Sequence, residues 1–209
     1  MLIYPDSADA RERASRIVKG GGLVAFRTDT FYGVGADPFD EAALELVNAL
    51  KGRDGKPILV LAADPSDSER LIAERARTFD ILAARHWPGA LTLVAAARAE
   101  VPGLLTAGTG TIGVRLPDDE EARAIVRACG GLLTATSANT AGRPPARTAA
   151  EVADYFPTGL DLIIDGGATR TELPSTVIDV TGPQPRLIRE GVVSRAELEA
   201  TFKAAVVEL

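Results

Sequence analysis

Basic side chains stand beside glycine turns and predicted strands at three places in the 209-residue chain: Lys51, Arg53 and Lys56; Arg115; and Arg186 with Arg189. Lysine is a mobile point charge and arginine a planar fork, so the two together suit a polyphosphate. A charged turn taken alone is more often simply solvated. Here two loops rich in hydroxyls and glycine, Thr28 to Gly35 and Thr136 to Gly142, follow neighbouring strands and offer the donors and acceptors that hold a small polar ligand. Together these features point to one anion-binding pocket. Nucleophilic relays are excluded by inventory: His86 is the one histidine and Cys129 the one cysteine, so neither a Ser/His/Asp triad without His86, an intrachain disulfide nor a Cys/His zinc site can be assembled. His86 reads as a structural histidine at a helix end. No G-x-x-x-x-G-K-[ST] loop occurs, and Gly20-Gly21-Gly22 precedes a strand, the reverse of the dinucleotide fingerprint. No Asp-x-Asp-x-Asp-Gly loop occurs either, so no protein metal cage is expected and any Mg²⁺ should arrive on a phosphate.

The elements that must position these residues alternate along the chain. Ser7 can cap a helix carrying Ala8, Ala10, Ala14, Ile17 and Val18, and Asp40 caps a second with Ala43, Leu44, Leu46, Val47 and Leu50 on one face. Leu23 to Phe26 and Ile58 to Ala62 read as buried strands, and residues 66 to 85 as a helix broken near Thr78. After the turn Trp87-Pro88-Gly89 come strands at 90–97 and 109–117, a helix at 118–129, a strand at 132–135 and a helix near 148–156. Three more strands, 160–164, 175–180 and 186–189, precede a final helix from about Ser194. This order predicts an α/β protein with a twisted, mixed sheet and helices packed on it.

Composition fits. The chain is 46% hydrophobic and 25% charged, with no repeat or linker, which predicts one domain over residues 1–209. Its 23 Lys and Arg against 29 Asp and Glu give a net charge of −6, so a broad nucleic-acid-binding face is not expected. The first residues lack a basic stretch leading into an apolar run, and no apolar run is long enough to span a bilayer, so a cytoplasmic protein without membrane contact is expected.

In order along the chain, Ala25 to Gly35, Lys51-Gly52-Arg53, Trp87 to Thr92, Gly113 to Pro117, Ser137 to Gly142, Pro174 to Asp179 and Ile188 to Gly191 resemble the motifs of the YrdC-type threonylcarbamoyl-AMP synthase family. The resemblance covers nearly the whole chain, in the short single-domain form. It implies the YrdC-like fold with a concave basic cavity, and an enzyme condensing L-threonine, bicarbonate or CO₂ and ATP into threonylcarbamoyl-AMP and pyrophosphate for tRNA threonylcarbamoyladenosine modification. Carried over residue by residue, Lys51 and Arg53 would hold ATP phosphates and stabilise the leaving group, with Thr111, Ser137, Asn139 and Arg189 completing the nucleotide site. Thr28, Thr30, Tyr32, Arg115 and Ser175 would surround threonine and its carbamate. Mg²⁺ would come with ATP, contact with tRNA or double-stranded RNA is conceivable for such a pocket, and a threonylcarbamoyl-transferase complex would take the product. A carbamate is its own nucleophile toward the α-phosphorus, so positioning and charge suffice without a Ser, Cys or His catalyst.

Departures are equally legible. Arg27 stands where the family usually has proline, adding a charge at the mouth of the threonine loop, and Leu61 lies near where some relatives place a histidine. Three other readings compete: a YciO-like paralogue with another substrate, an RNA-binding module, and a carbamoyl-transfer domain of the hydrogenase-maturation type. Retention of both Lys51-Gly52-Arg53 and Ser137-Ala138-Asn139 disfavours the first, and the acidic balance with 5% aromatics the second. The zinc-finger and acylphosphatase-like partners that accompany the third are absent from the sequence.

Overall fold

The computed structural model describes residues 2–52 and 55–207. The chain runs β1 (Leu2–Pro5), α1 (Ala8–Lys19), β2 (Val24–Phe26), β3 (Gly33–Gly35), α2 (Glu41–Lys51) and β4 (Val60–Ala62), followed by a 3₁₀ turn at Pro65–Arg70. Next come α3 (Arg77–His86), β5 (Leu91–Ala96), the short α4 (Gly103–Thr106), β6 (Thr111–Arg115), α5 (Glu120–Ala128), β7 (Leu132–Thr134) and β8 (Thr136–Ser137). The last third supplies α6 (Ala149–Tyr155), β9 (Leu162–Asp165), β10 (Thr176–Asp179), β11 (Arg186–Arg189) and α7 (Arg195–Val207). None of the described helices is long and apolar enough to cross a membrane.

The α/β class stands, but the strands divide between two sheets instead of joining one. A five-stranded sheet has the order β1-β9-β2-β3-β8, and a six-stranded sheet the order β11-β10-β5-β6-β4-β7. The chain changes sheet between β3 and β4, between β7 and β8, where Ala135 is the single connecting residue, and between β9 and β10. Both sheets mix parallel and antiparallel pairs.

Caps explain where the helices start. The Ser7 hydroxyl accepts from the Ala10 N–H (3.2 Å), the Asp40 carboxylate from those of Ala42 and Ala43 (3.0 and 3.2 Å), and Asp119 from Ala122 (3.1 Å). At the far end of α2, Gly52 takes a left-handed conformation (φ 55°) that closes the helix directly after Lys51. The helix expected over residues 66–85 is two pieces. Ser68 Oγ bonds back to the Pro65 carbonyl (2.6 Å) in the 3₁₀ turn, and Ala73 N–H is drawn to the Ala96 carbonyl (2.9 Å), so sheet pairing outcompetes helix until Arg77. His86 ends α3 as expected, half-buried, with Nε2 2.8 Å from Thr201 Oγ1 of α7.

Each sheet strand shows its two faces in sequence. Leu91, Leu93, Ile112, Val114, Val60 and Ile178 point into the main core, with α2, α3 and α6 supplying Leu44, Val47, Phe79, Leu82 and Val152. Between α1, α5 and the five-stranded sheet lies a second cluster of Ala10, Ala14, Val18, Val24, Phe26, Ile125, Val126, Leu162 and Ile164. The alternate residues of the six-stranded sheet, facing away from that core, are the ones that form the site.

Candidate active site

A cleft of about 640 Å³ opens over the six-stranded sheet. Its floor is built by the period-two alternation of strands: Thr111, Gly113 and Arg115 from β6, Thr92 and Val94 from β5, Val177 and Asp179 from β10, Leu61 from β4. Gly113 sits opposite Val94, where its missing side chain leaves room at the centre of the floor. Walls come from the Thr28–Gly33 loop, from Ala135 to Ser137, and from Pro174 and Ser175 with β11.

Arg186 and Arg189 both line this cleft although a spacing of three would send them to opposite faces of a regular strand. The pairing explains it: Asp179 faces Arg186 and Val177 faces Arg189, with a register shift between Val177 and Ile178 that absorbs one residue. The chain leaving β11 is pressed so close to Pro174 that a Cβ on Gly191 would lie 2.1 Å from the Pro174 carbonyl oxygen, so glycine is required there. That approach holds Arg189 against Ser175.

Two arginines of the site, the buried Arg115 and the exposed Arg189 of β11, differ in how their charge is met. Arg115, 3% exposed, pairs with the Asp29 carboxylate through Nη2 and donates to Thr30 Oγ1 (3.0 Å) and the Gly89 carbonyl (3.1 Å). Burial lowers its pKa against the opposing pull of Asp29. Arg189 donates to the Ser175 carbonyl (2.8 and 3.2 Å) and hydroxyl (3.2 Å) through Nη2 and Nε, and among the described residues it has no carboxylate partner. Its pKa is also lowered, first by burial and then by repulsion from Arg115. A guanidinium without a carboxylate beside a second guanidinium gives this end of the cleft a local excess of positive charge. Arg186, by contrast, is paired with Asp179 (3.1 Å).

Several of the hydroxyls singled out from the sequence lie on the cleft lining. Thr28 and Thr30 are buried at the cleft wall, their hydroxyls 3.2 Å apart, with Thr28 donating to the Phe31 carbonyl (2.7 Å). Thr111 lines the floor beside Thr109 (2.9 Å), and Ser175 meets Thr92 (3.0 Å), a cleft residue not singled out from the sequence although it sits on a strand facing Gly113. Asp29 was passed over too; one acidic residue in a buried hydroxyl loop is the signal that marks it.

Three expectations change. Tyr32 lines the cleft with its ring, but its hydroxyl is turned to the turn after β9, 2.8 Å from the Gly167 carbonyl and 3.2 Å from Asp165, so it is unavailable to a ligand. Burial, reinforced by Asp165, raises its pKa, which keeps it neutral. Arg27 does not charge the mouth of the loop: it faces the other way, pairing with the buried Asp119 (3.1 Å), with Glu121 and with the Gly166 carbonyl. Lys51 and Asn139 lie behind the wall formed by Ser137, not in the cleft lining. There the Lys51 ammonium is held by the Ser137 and Asn139 carbonyls and by Asn139 Oδ1 (2.9 Å), which also accepts from Ser137 Oγ (2.7 Å). Arg53 lies outside the described residues. Among the described residues no three His, Cys, Asp or Glu side chains cluster as a metal site.

The chain is similar to known proteins over most of its length. The Sua5/YciO/YrdC family model, described as telomere recombination, matches residues 16–191. A threonylcarbamoyl-AMP synthase of Idiomarina loihiensis is 39% identical over 178 residues, covering 82% of this chain and 94% of that protein. A threonylcarbamoyl-AMP synthase of Pyrococcus abyssi is 38% identical over 187 residues, 89% of this chain, which spans only 55% of that relative's length. The crystal structure of Pyrococcus abyssi Sua5 complexed with L-threonine superposes with a TM-score of 0.91 at 36% identity, over 96% of this chain and 59% of that one. With the family model matching residues 16–191 and the fold shared at a TM-score of 0.91, this chain belongs to the Sua5/YciO/YrdC family.

Proposed function

We propose that this chain is an L-threonylcarbamoyladenylate synthase, a nucleotidyltransferase acting on MgATP, L-threonine and bicarbonate. The observation that carries the reading is one cleft holding two differently prepared guanidinium groups, Arg115 neutralised by Asp29 among buried hydroxyls and Arg189 left to attract an anion. The naming of relatives as threonylcarbamoyl-AMP synthases and the L-threonine complex of the Pyrococcus abyssi protein support it.

In this reading the amino acid lies against Thr28, Thr30, Arg115 and Ser175, and the nucleotide along Thr111, Ser137 and Arg189. The amine adds to CO₂ released from bicarbonate and loses a proton to solvent, giving a carbamate. A carbamate oxygen then bonds to the α-phosphorus while the bond from that phosphorus to the pyrophosphate oxygen breaks. Charge grows on the leaving pyrophosphate, which Arg189, Lys51, Arg53 and the nucleotide's own Mg²⁺ stabilise. Lys51 must turn from the Ser137–Asn139 carbonyls to do so, over the short distance from the wall it now braces. Asp179, the carboxylate among the described residues of the lining, is held by Thr181 and Arg186, which supports a Mg²⁺ that arrives with the nucleotide. A cytoplasmic location, delivery of the labile product to a threonylcarbamoyl-transferase complex and contact with the tRNA itself belong to the same proposal. The deciding assay is pyrophosphate release: it should require ATP, L-threonine and bicarbonate together. Serine should work slowly, since a lost methyl is worth about 1–3 kcal/mol, and valine poorly, because it leaves the site's hydroxyl partners unpaired. Equal release without an amino acid would overturn the assignment.

A further inference from the structure

Arg115 is a buried cation in a cleft that already holds a second guanidinium, and Asp29 is what makes that arrangement stable. Its carboxylate meets Nη2, while Thr30 Oγ1 accepts a hydrogen bond from Nη1 and the Gly89 carbonyl one from Nε. Acceptors on all three nitrogens fix the guanidinium plane, and one N–H on each Nη remains unused of the five an arginine carries. Asp29 itself is absent from the cleft lining, whereas Thr28, Thr30 and Arg115 are on it, so the carboxylate holds the arginine from behind. Arg189 has no such counter-charge among the described residues.

We infer that Asp29 is a positioning residue that decides which anion goes to which end of the cleft. By anchoring Arg115 it aims the two spare N–H groups at a carboxylate, and by cancelling the charge it removes the attraction that would draw a polyphosphate to the amino-acid end. Among the described arginines of the lining, Arg189 on the β11 wall is then the one without a carboxylate partner, and the triphosphate binds in one direction. This rests on the synthase reading above. Without Asp29 the Arg115 end becomes a competing phosphate site, and threonine loses a fixed partner.

The test is titration calorimetry of the wild type, Asp29→Asn and Asp29→Glu with L-threonine and with inorganic pyrophosphate, beside KM values for threonine and ATP. Asp29→Asn should weaken threonine binding about tenfold or more, the equivalent of one charge-assisted hydrogen bond, with KM for ATP moving less than about twofold. It should tighten pyrophosphate by at least about threefold, since one negative charge beside the cleft is gone. Asp29→Glu keeps the charge on a longer stem, so pyrophosphate should bind as in the wild type, with threonine affinity between the other two proteins. A folded Asp29→Asn protein that binds threonine normally, or an Asp29→Glu protein that gains pyrophosphate affinity as Asn does, overturns the inference. Should Asp29→Asn not fold, the Glu variant decides: weakened threonine with unchanged pyrophosphate sustains the role, and unchanged threonine ends it. Wild-type protein that binds no threonine, while Asp29→Asn still gains pyrophosphate, would overturn the synthase reading and leave the charge-balancing role standing.

Discussion

Replacing Arg189 with methionine separates anion binding from stability more cleanly than any other change in the cleft. Its guanidinium gives Nε and Nη2 to Ser175, and Nη1 has no protein acceptor among the described residues. No buried carboxylate is orphaned by its loss, so the cost to the fold is that of hydrogen bonds to neutral oxygens, no more than about 1 kcal/mol, or a fall in Tm of about 2–4 °C for a chain of this size. A phosphate held by Nη1 loses charge-assisted hydrogen bonds worth about 1.5–3 kcal/mol, which converts to an affinity about 10- to 150-fold weaker for pyrophosphate or ATP. Arg186→Met is the internal control. That side chain is 76% exposed and already paired with Asp179, so its removal should weaken pyrophosphate less than about fivefold. Calorimetry with inorganic pyrophosphate and a thermal melt of each variant provide both numbers. The reasoning fails if Arg189→Met binds pyrophosphate like the wild type, or if Arg186→Met loses as much as Arg189→Met.

Arg27→Ala should destabilise without altering threonine use: it leaves the 1% exposed Asp119 side chain without its cation, a loss of about 1–3 kcal/mol visible in denaturant midpoints, while KM for threonine stays within about twofold. A raised KM with unchanged stability would put Arg27 back at the mouth of the site. Asn139→Ala removes the amide that ties Lys51, Ser137 Oγ and the Arg143 carbonyl (2.6 Å) together, so KM for ATP should rise about tenfold with little change in KM for threonine; equal effects on both substrates would speak for general loop disorder. His86 has its pKa lowered, chiefly by burial and then by Arg85, so the fold prefers the neutral ring. The unfolded chain therefore binds the proton more readily, and stability present above the ordinary histidine pKa of about 6.5 is lost as pH falls through and below it. Melts from pH 7.5 to 5.5 should show that loss in the wild type and less of it in His86→Gln; identical slopes would remove His86 from the account.

Much of the site was readable because its residues break the pattern of their own elements. Arg115 is a lone charge in an otherwise apolar or small strand, and Lys51 directly precedes the glycine that ends its helix. Local rules also located most helices, since caps and apolar spacing lie within a few residues of each other. What stayed hidden depends on distant partners. The direction of Arg27 is set by Asp119 and Gly166, 92 and 139 residues away, and that of the Tyr32 hydroxyl by the turn at Asp165–Gly167. The shift that brings Arg186 and Arg189 to one face is a property of pairing with β10, invisible in the spacing of the strand itself. The strands β1, β3 and β8 were missed for a similar reason: Gly33-Val34-Gly35 has little strand preference of its own, and a Cβ on Gly35 would sit 2.8 Å from Leu133 and 2.9 Å from Phe26.

The strand orders also dictate when the molecule can be finished. Strand β1 has β9 as its hydrogen-bonded neighbour, Leu2 pairing with Leu162, and β2 takes the other side of that same strand. In the second sheet β5 waits in the same way for β10, with Leu91 opposite Thr176. On the ribosome, β1, β2 and β5 are therefore made long before the strands they pair with. Closing such long loops is what slows folding, and until β9 and β10 emerge the edges of β2 and β5 stand open as templates for other chains. Substitutions that weaken β9 or β10 should thus show up first as poor recovery of soluble protein during synthesis, even where the finished protein tolerates them.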